Sequence, residues 1–232
     1  MTRSSVKIAI IGAGFGGIGL GARLKRAGFH DFTIYERGDE VGGVWRDNTY
    51  PGAACDVPSR MYSYSFAPDY PWSARFGGQP EILDYLKHCA DRFGIRPHIR
   101  FNTEIKEAAL DSAGPQWRIS TGDGGIETAD MLVSAVGLFN HPLVPDLPGR
   151  DTFDGPQFHS SRWNHDCALD GKTVAVIGTG ASAVQFVPEI APLVVRLLVF
   201  QHSPQYVLPR DGRPVSGAGG VRDGMRRRAD RL

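Results

Sequence analysis

The strongest constraint on this chain is a pattern that it contains twice: a short apolar strand, a run of phased glycines, a helical stretch and a second strand. The first copy is "VKIAIIGAGFGGIGLGARLKRAGFHDFTIYE", residues 6–36. Lys7 to Ile11 reads as a buried strand, and Gly12, Gly14 and Gly17 follow with the spacing G-x-G-x-x-G. A helical period then runs through Leu20, Leu24 and Ala27 to a stop at Gly28. "FTIYE" is the next strand and ends on Glu36. The three glycines serve different ends. The first allows a tight turn, the second lets backbone approach a pyrophosphate, and the third lets helix and strand pack closely. The N–H groups and dipole at the helix start favour phosphates, and Glu36 stands where a carboxylate can accept from a ribose hydroxyl. Glycines alone would say little, but strand, glycines, helix, strand and acid in this order specify a dinucleotide-binding unit.

The second copy is "GKTVAVIGTGASAVQFVPEIAPLVVRLLVF", residues 171–200. Its strand is Thr173 to Ile177, its small residues are Gly178, Gly180 and Ala183, and its helix is expected to run to about Ile190, with Pro188 limiting the last turn. "VRLLVF" is the following strand, but it leads into Gln201, His202 and Ser203 with no acid. Without a carboxylate to bond the 2′-hydroxyl or repel a phosphate, this unit suits NADP better than NAD, and His202 and Ser203 are candidates to hold the 2′-phosphate. The expected fold is α/β with two Rossmann-like dinucleotide-binding units. Two units of different preference point to a flavin enzyme reduced by a nicotinamide. A duplicated unit serving one nucleotide is the plainer alternative.

At 232 residues the chain can build one large domain or two small ones. The formal net charge of +1, with both signs interspersed, gives no reason to expect a nucleic-acid partner. Cys55, Cys89 and Cys167 are odd in number and lack metal-ligand spacing, so a reduced, cytoplasmic protein without a metal site is expected. The basic head and apolar run at the start imitate a secretion signal. The run between Lys7 and Arg23 is too short to span a bilayer, and its phased glycines serve no secretory purpose. No other segment suggests a membrane.

Elsewhere, "QPEILDYLKHCADRFG" (79–94) sets Ile82, Leu83, Leu86 and Ala90 on one face of a helix ending at Gly94, with His88 and Cys89 read as structural. "RFNTEIKEAAL", "QWRIS" and "DMLVSAV" read as strands of a small sheet, with "TGDGG" as a hairpin turn. "TFDGPQFHSSRWN" (152–164) carries Phe153, Gly155, His159 and Trp163 in a segment with neither helical nor strand period. Such aromatic and glycine positions let a linker pack between two domains, and a structural role for His159 stands open beside a functional one.

Between the two units, "GGVWRDNTYPGAACDVPSRMYSYSF" (42–66) closely resembles the flavin-proximal loop of Baeyer–Villiger monooxygenases, which are class B flavoprotein monooxygenases. The 152–164 segment is similar to their fingerprint F-x-G-x-x-x-H-x-x-x-W followed by Pro or Asp, except that Asn164 follows here. Related flavin-containing N- and S-oxygenases carry Tyr where Trp163 stands, so Trp163 favours the Baeyer–Villiger branch. "SAVGLFNHPLVPDLPG" (134–149) resembles the strand and linker that lead out of the FAD domain. The resemblance runs from about residue 5 to about residue 210.

The resemblance implies an FAD/NAD(P)-binding fold with an FAD-binding domain over 1–150 and the start of an NADP-binding domain over 151–210. It implies FAD contacts at Gly12, Gly14, Gly17, Glu36, Trp45, Asp56, Tyr62 and Ile105. NADP contacts would fall at Ala54, Cys55 and Asp56, and at Gly178, Thr179, Gly180, Ala181, Ser182 and Gln185. Trp45 and Tyr62 also suit plain core filling. For catalysis it implies Asp56, an acid that inside the fold would need a partner and whose partner in the family is an active-site Arg from the C-terminal half, and His159, coupling nicotinamide binding to the flavin site. His202 stands where relatives often carry Arg. An imidazole cannot make a bidentate phosphate clamp, so weaker and more pH-dependent selection of NADPH over NADH is expected.

The implied reaction uses NADPH and O2 to insert oxygen into a ketone, giving an ester or lactone. Family members are much longer, so a truncated N-terminal fragment is expected, with a complementing C-terminal half as a partner. The Arg-, Gly- and Ala-rich residues 211–232 no longer resemble the family and read as a disordered or aberrant tail. An N- or S-oxygenating relative and a non-catalytic nucleotide-binding remnant are the alternatives.

Overall fold

The computed structural model describes residues 6–111 and 114–209, so the 211–232 tail lies outside the described residues. Its centre is a four-stranded sheet of β1 (Ile8–Ile11), β2 (Phe32–Tyr35), β3 (Ile99–Arg100) and β7 (Met131–Ser134), in the order β3-β2-β1-β7. β1 is the spine: Ile8 pairs with Phe32 on one side and Met131 on the other, and both registers run in step, parallel, to Ile11. Parallel neighbours need crossovers, and helices supply them. α1 (Phe15–Arg26) joins β1 to β2, and after the single turn α2 (Val44–Asp47), α3 (Gln79–Arg92) precedes β3. Ile10, Ile18, Ile34, Ile82, Leu86 and Ile95 are sealed between this sheet face and the helices. α1 stops where its period stops: the Ala27 N–H donates to Arg23 O, and Gly28 takes a φ of +84°. Arg23, Lys25 and Arg26 in its last turn complement the helix dipole.

The opposite face is covered by an antiparallel sheet of β4 (Ile105–Leu110), β5 (Trp117–Thr121) and β6 (Ile126–Ala129), whose Ile119 and Ala129 pack on Ala9 and Tyr35. The expected hairpin is present, closed by the Thr121 N–H on Gly125 O at 2.9 Å. The placement of "DMLVSAV" is corrected. Met131–Ser134 belongs to the central sheet, and the third strand of the small sheet is Ile126–Ala129. Asp130 makes the switch. Its N–H donates to Lys7 O at 2.9 Å and its carboxylate accepts from the Lys7 N–H at 2.8 Å, which hands the chain from one sheet to the other.

The second unit comprises β8 (Thr173–Ile177), α4 (Ala181–Ile190) and β9 (Arg196–Phe200), with β8 and β9 parallel from Thr173↔Arg196 to Ile177↔Phe200. Val176, Ala183, Phe186 and Ile190 form its core, with Tyr50 of the first unit and Trp163 of the linker packed on it. Among the described residues its sheet is covered on one side only, and Ile177 and Phe200 are 62% and 56% exposed. The connection from β7 holds two single turns of 3-10 helix, Arg150–Thr152 and Ser160–Arg162. Among the described residues, no helix is long and apolar enough to cross a membrane.

Candidate functional site

At the carboxyl ends of β1 and β2 the chain encloses a cavity of about 580 Å³, whose walls include Gly12, Gly14, Glu36, Trp45, Tyr62 and Ile105. Its floor is the glycine turn. Gly12 has φ +102°, and a Cβ there would stand 2.7 Å from Ala135 O. A Cβ at Gly17 would stand 1.9 Å from Gly12 O, so only glycine lets α1 rest on β1. Gly14 is different, because a Cβ there would meet nothing nearer than Gly43 Cα at 3.7 Å. Its bare backbone leaves the helix start open. Gly14 as N-cap gives no side-chain cap, and the first turn of α1 has no acid. The first-turn N–H groups therefore keep their capacity for an anion.

Glu36 is 4% exposed and anchors the turn. One carboxylate oxygen accepts from the Ala13 N–H at 2.8 Å; the other accepts from the Gly38 N–H at 2.8 Å and Arg46 Nη1 at 2.7 Å. Those three bonds leave capacity on the carboxylate for a hydroxyl donor. Arg46 also donates through Nε to Asp47 Oδ1 at 2.8 Å and through Nη1 to Glu40 O at 2.6 Å. Burial works against its charge, but the bonds to Asp47 and Glu36 outweigh this and hold its pKa above the ordinary arginine value. Arg46 lines the cavity and is absent from the sequence-based set of site residues; its signal is its place in "GGVWR", ten residues after Glu36.

Across the cavity, Trp45 Nε1 donates to Tyr62 Oη at 3.1 Å with the rings edge to face. Burial pushes the Tyr62 pKa up, helped by Cys55 and Asp56 and opposed by the Trp45 bond, so Tyr62 is a neutral hydroxyl. The two rings are half-buried, one side packed on the core and the other on the cavity. Behind them the 50–56 loop is pinned by main-chain bonds: the Cys55 N–H on Gly77 O at 3.0 Å and the Gln79 N–H on Ala53 O at 2.8 Å. Gln79, also missing from the sequence-based set, donates its side-chain amide to Trp45 O.

The second crevice repeats the turn. Gly178 has φ +104° and donates its N–H to Phe200 O at 2.9 Å; Gly180 is the uncapped N-cap of α4. A Cβ at either glycine would meet nothing within 4 Å. Thr179 lies in the turn and Ala181 and Ser182 open the helix, with no acid in its first turn. His202 and Ser203 are exposed past β9, where His202 Nδ1 and Ser203 Oγ are 3.0 Å apart. Gln185 does not keep company with these residues. Its amide is bonded to the Ala54 backbone and to Tyr50 Oη, in the first unit.

Neither of the two residues implied as catalytic lines the first cavity. Asp56 is exposed and forms no ion pair among the described residues, and the Arg implied as its partner would come from the C-terminal half. His159 caps the Ser160–Arg162 turn, its Nδ1 accepting from the Ser161 N–H at 3.1 Å. Trp163 packs edge to face against Phe158 and at a tilt against Phe186, on the core of the second unit. Asn164 Oδ1 accepts from the Asp166 N–H at 3.0 Å, a turn that an Asp would make equally well, so the departure from the fingerprint preserves its local geometry. Among the described residues no group of His, Cys, Asp and Glu is arranged to hold a metal ion.

Comparison with known proteins agrees with this architecture. A Baeyer–Villiger monooxygenase of Streptomyces coelicolor is 55% identical over 213 residues, covering 92% of this chain and 41% of the relative. The crystal structure of cyclohexanone monooxygenase from Rhodococcus sp. Phi1 bound to NADP+ superposes with a TM-score of 0.84 at 40% identity, covering 91% of this chain and 40% of that one. The structure of OTEMO in complex with FAD and NADP superposes at 0.85 with 35% identity, covering 93% and 42%. The chain thus spans about two-fifths of the length of these relatives. The flavin-binding monooxygenase-like family model matches residues 5–216, and the chain belongs to that family.

Proposed function

We propose that this chain supplies the FAD site and the start of the NADPH site of a Baeyer–Villiger-type monooxygenase. The full reaction takes a ketone, O2, NADPH and a proton to an ester or lactone, NADP+ and water. The observation that carries the reading is the first cavity, whose walls bring together a buried acid, an uncapped helix start and an aromatic pair. FAD bound there would pass electrons from NADPH to O2. The residues divide the work. Glu36 takes a ribose hydroxyl, Gly12, Gly14 and Gly17 admit the pyrophosphate to the α1 N-terminus, and Trp45, Tyr62 and Ile105 wall the cavity against water. Gly178, Thr179, Gly180, Ala181 and Ser182 take the NADPH pyrophosphate at α4, with His202 and Ser203 at its 2′-phosphate.

Residues 1–150 are read as the FAD domain and 151–210 as the opening of the NADP domain. Asp56, exposed beside the Ala54–Cys55 backbone, is assigned to a charged partner in a complementing C-terminal half, and His159 to coupling through the linker. No disulfide joins Cys55, Cys89 and Cys167, which suits the cytoplasm. The first test is the visible absorption spectrum of the purified chain after FAD is supplied and the excess removed. A retained flavin band bleached by NADPH under argon supports the reading, and soluble, folded protein without a band overturns it. With a complementing half present, oxidation of sulfides but not of cyclic ketones would favour the N- or S-oxygenating alternative.

A further inference from the structure

We infer that Gln185 is a positioning residue, not a nucleotide ligand: its side-chain amide sets the 53–56 loop of the first unit in register with α4 of the second. The inference rests on reading the two crevices as FAD and NADPH sites, and it concerns how they are held together. Gln185 Nε2 donates to Ala54 O at 2.9 Å, and Oε1 accepts from the Ala54 N–H at 3.2 Å and from Tyr50 Oη at 3.0 Å. One amide thereby satisfies both backbone groups of a single residue, as a neighbouring strand would. Both acceptor positions of Oε1 are used, as is one of the two N–H donors. An amide committed in this way points its capacity at the loop, while the anion-binding end of α4 lies a turn away at Gly180–Ser182.

The backbone under the amide is shaped for the contact. Gly52 has φ +73°, and a Cβ there would stand 2.9 Å from Gln185 O and 2.8 Å from Glu189 Cγ. The Tyr50 ring packs edge-on against Phe186, the next residue of α4. From Ala54 the bonds continue into the first cavity. The Gln79 N–H donates to Ala53 O, the Gln79 amide donates to Trp45 O, and the Trp45 indole donates to Tyr62 Oη. A displacement of α4 on docking nucleotide at its N-terminus would have this continuous path, through the loop, to the aromatic wall of the flavin cavity. The test measures that coupling directly.

The experiment compares the full chain with Gln185→Leu, Gln185→Glu and Tyr50→Phe. Amide exchange at Ala54 reads the register, and titration with NADP+ reads binding to the FAD-free chain and its effect on flavin fluorescence in the FAD-loaded chain. Gln185→Leu should speed exchange at Ala54 by about tenfold or more. It should erase the fluorescence response to NADP+ and leave the NADP+ affinity of the FAD-free chain within about twofold. Gln185→Glu, which keeps the acceptor and loses the donor, should fall between wild type and Gln185→Leu. Tyr50→Phe, which removes one bond and little shape, should weaken the response if Gln185→Leu proves too unstable to study. A tenfold loss of NADP+ affinity with Ala54 exchange unchanged would make Gln185 a direct ligand and overturn the inference, as would no change in either. A wild-type chain that holds no flavin would defeat the proposed function, while exchange at Ala54 would still decide the role of Gln185.

Discussion

Gly12 has φ +102° and donates its N–H to Tyr35 O at 2.8 Å; Gly178 has φ +104° and donates to Phe200 O at 2.9 Å. Ile18 N donates to Gly14 O at 3.1 Å, and Val184 N to Gly180 O at the same distance. The two units are the same turn built twice, yet their surroundings differ. Around Gly12 the chain closes in, with Ala135 O where a Cβ would go, whereas the space around Gly178 is open. The third small residue differs too. At Gly17 a Cβ would drive into Gly12 O, but the second unit carries that methyl as buried Ala183. The turn is therefore set locally, by glycine and strand pairing, whereas the separation of helix from strand is set by each unit's packing.

The largest effect should come from that third position. Gly17→Ala forces helix and strand apart and should cost about 4 kcal/mol, close to the whole stability of a marginal domain. Ala183→Gly, at the matching place, should cost only about 1 kcal/mol, mostly in backbone entropy. Urea unfolding of the two variants checks both, and a Gly17→Ala protein with a wild-type midpoint would break the comparison. Next come the strands. Ile10 is fully buried, and Ile10→Ala should cost about 3 kcal/mol through lost contacts and a cavity. Ile177, beside its turn but 62% exposed, should tolerate Ala within about 0.5 kcal/mol.

The two turns are legible in the sequence because everything they need is local: period, glycine spacing, and a strand that ends on an acid or does not. The ends of β8 and α4 follow from the same signals. What the sequence hides is non-local. Met131–Ser134 has no feature that prefers the central sheet to the small one; the choice is made by the bonds between Asp130 and Lys7, 123 residues apart. Gln185 carries the spacing of a nucleotide contact, and only the fold shows Ala54 and Tyr50 within its reach. Arg46 is inconspicuous because an arginine in a polar loop looks solvated until Glu36 is found beneath it. The apolar neighbours of Asp56 suggest an inside position, but Cys55 takes the buried side of the loop and Asp56 the open one.

The acid at the end of the strand offers a reciprocal exchange. Both oxygens of Glu36 accept from donors, so Glu36→Gln turns an NH2 group against one of them and removes a buried charge partner of Arg46. Asp47 retains its hold on Arg46, which limits the loss to about 2 kcal/mol, with weakened retention of FAD. Gln201 holds the matching position in the second unit and is exposed, so Gln201→Glu should be neutral for stability. It should instead lower the preference for NADPH over NADH by at least about tenfold, since a carboxylate bonds a 2′-hydroxyl and repels a 2′-phosphate. Affinities measured for both nucleotides check this, and an unchanged ratio would move the 2′-phosphate away from Gln201–Ser203.

Charge itself is divided between the units: every ion pair among the described residues lies within residues 7–127. The smallest expected effect tests one of them. Arg96 grips Glu40 through both carboxylate oxygens, at 2.8 and 3.2 Å, and the Val41 N–H adds a bond at 2.7 Å. Burial pushes the Glu40 pKa up, but the bonds from Arg96 and Val41 outweigh it and hold the carboxyl below the ordinary glutamate value. The unfolded chain then takes up the proton at a higher pH than the folded one. The pair's stabilisation is complete above the ordinary carboxylate range and is lost as pH falls through the folded pKa. Both side chains are about one-third exposed, so solvent screening keeps the effect small: Glu40→Gln should cost about 0.5 kcal/mol at pH 7. That difference should close as the pH falls through the folded pKa, because the wild-type carboxyl is then itself protonated. Urea midpoints of the two proteins across this range measure it. A gap that stayed open in acid would mean that Glu40 stabilises the first unit by packing and not by its charge.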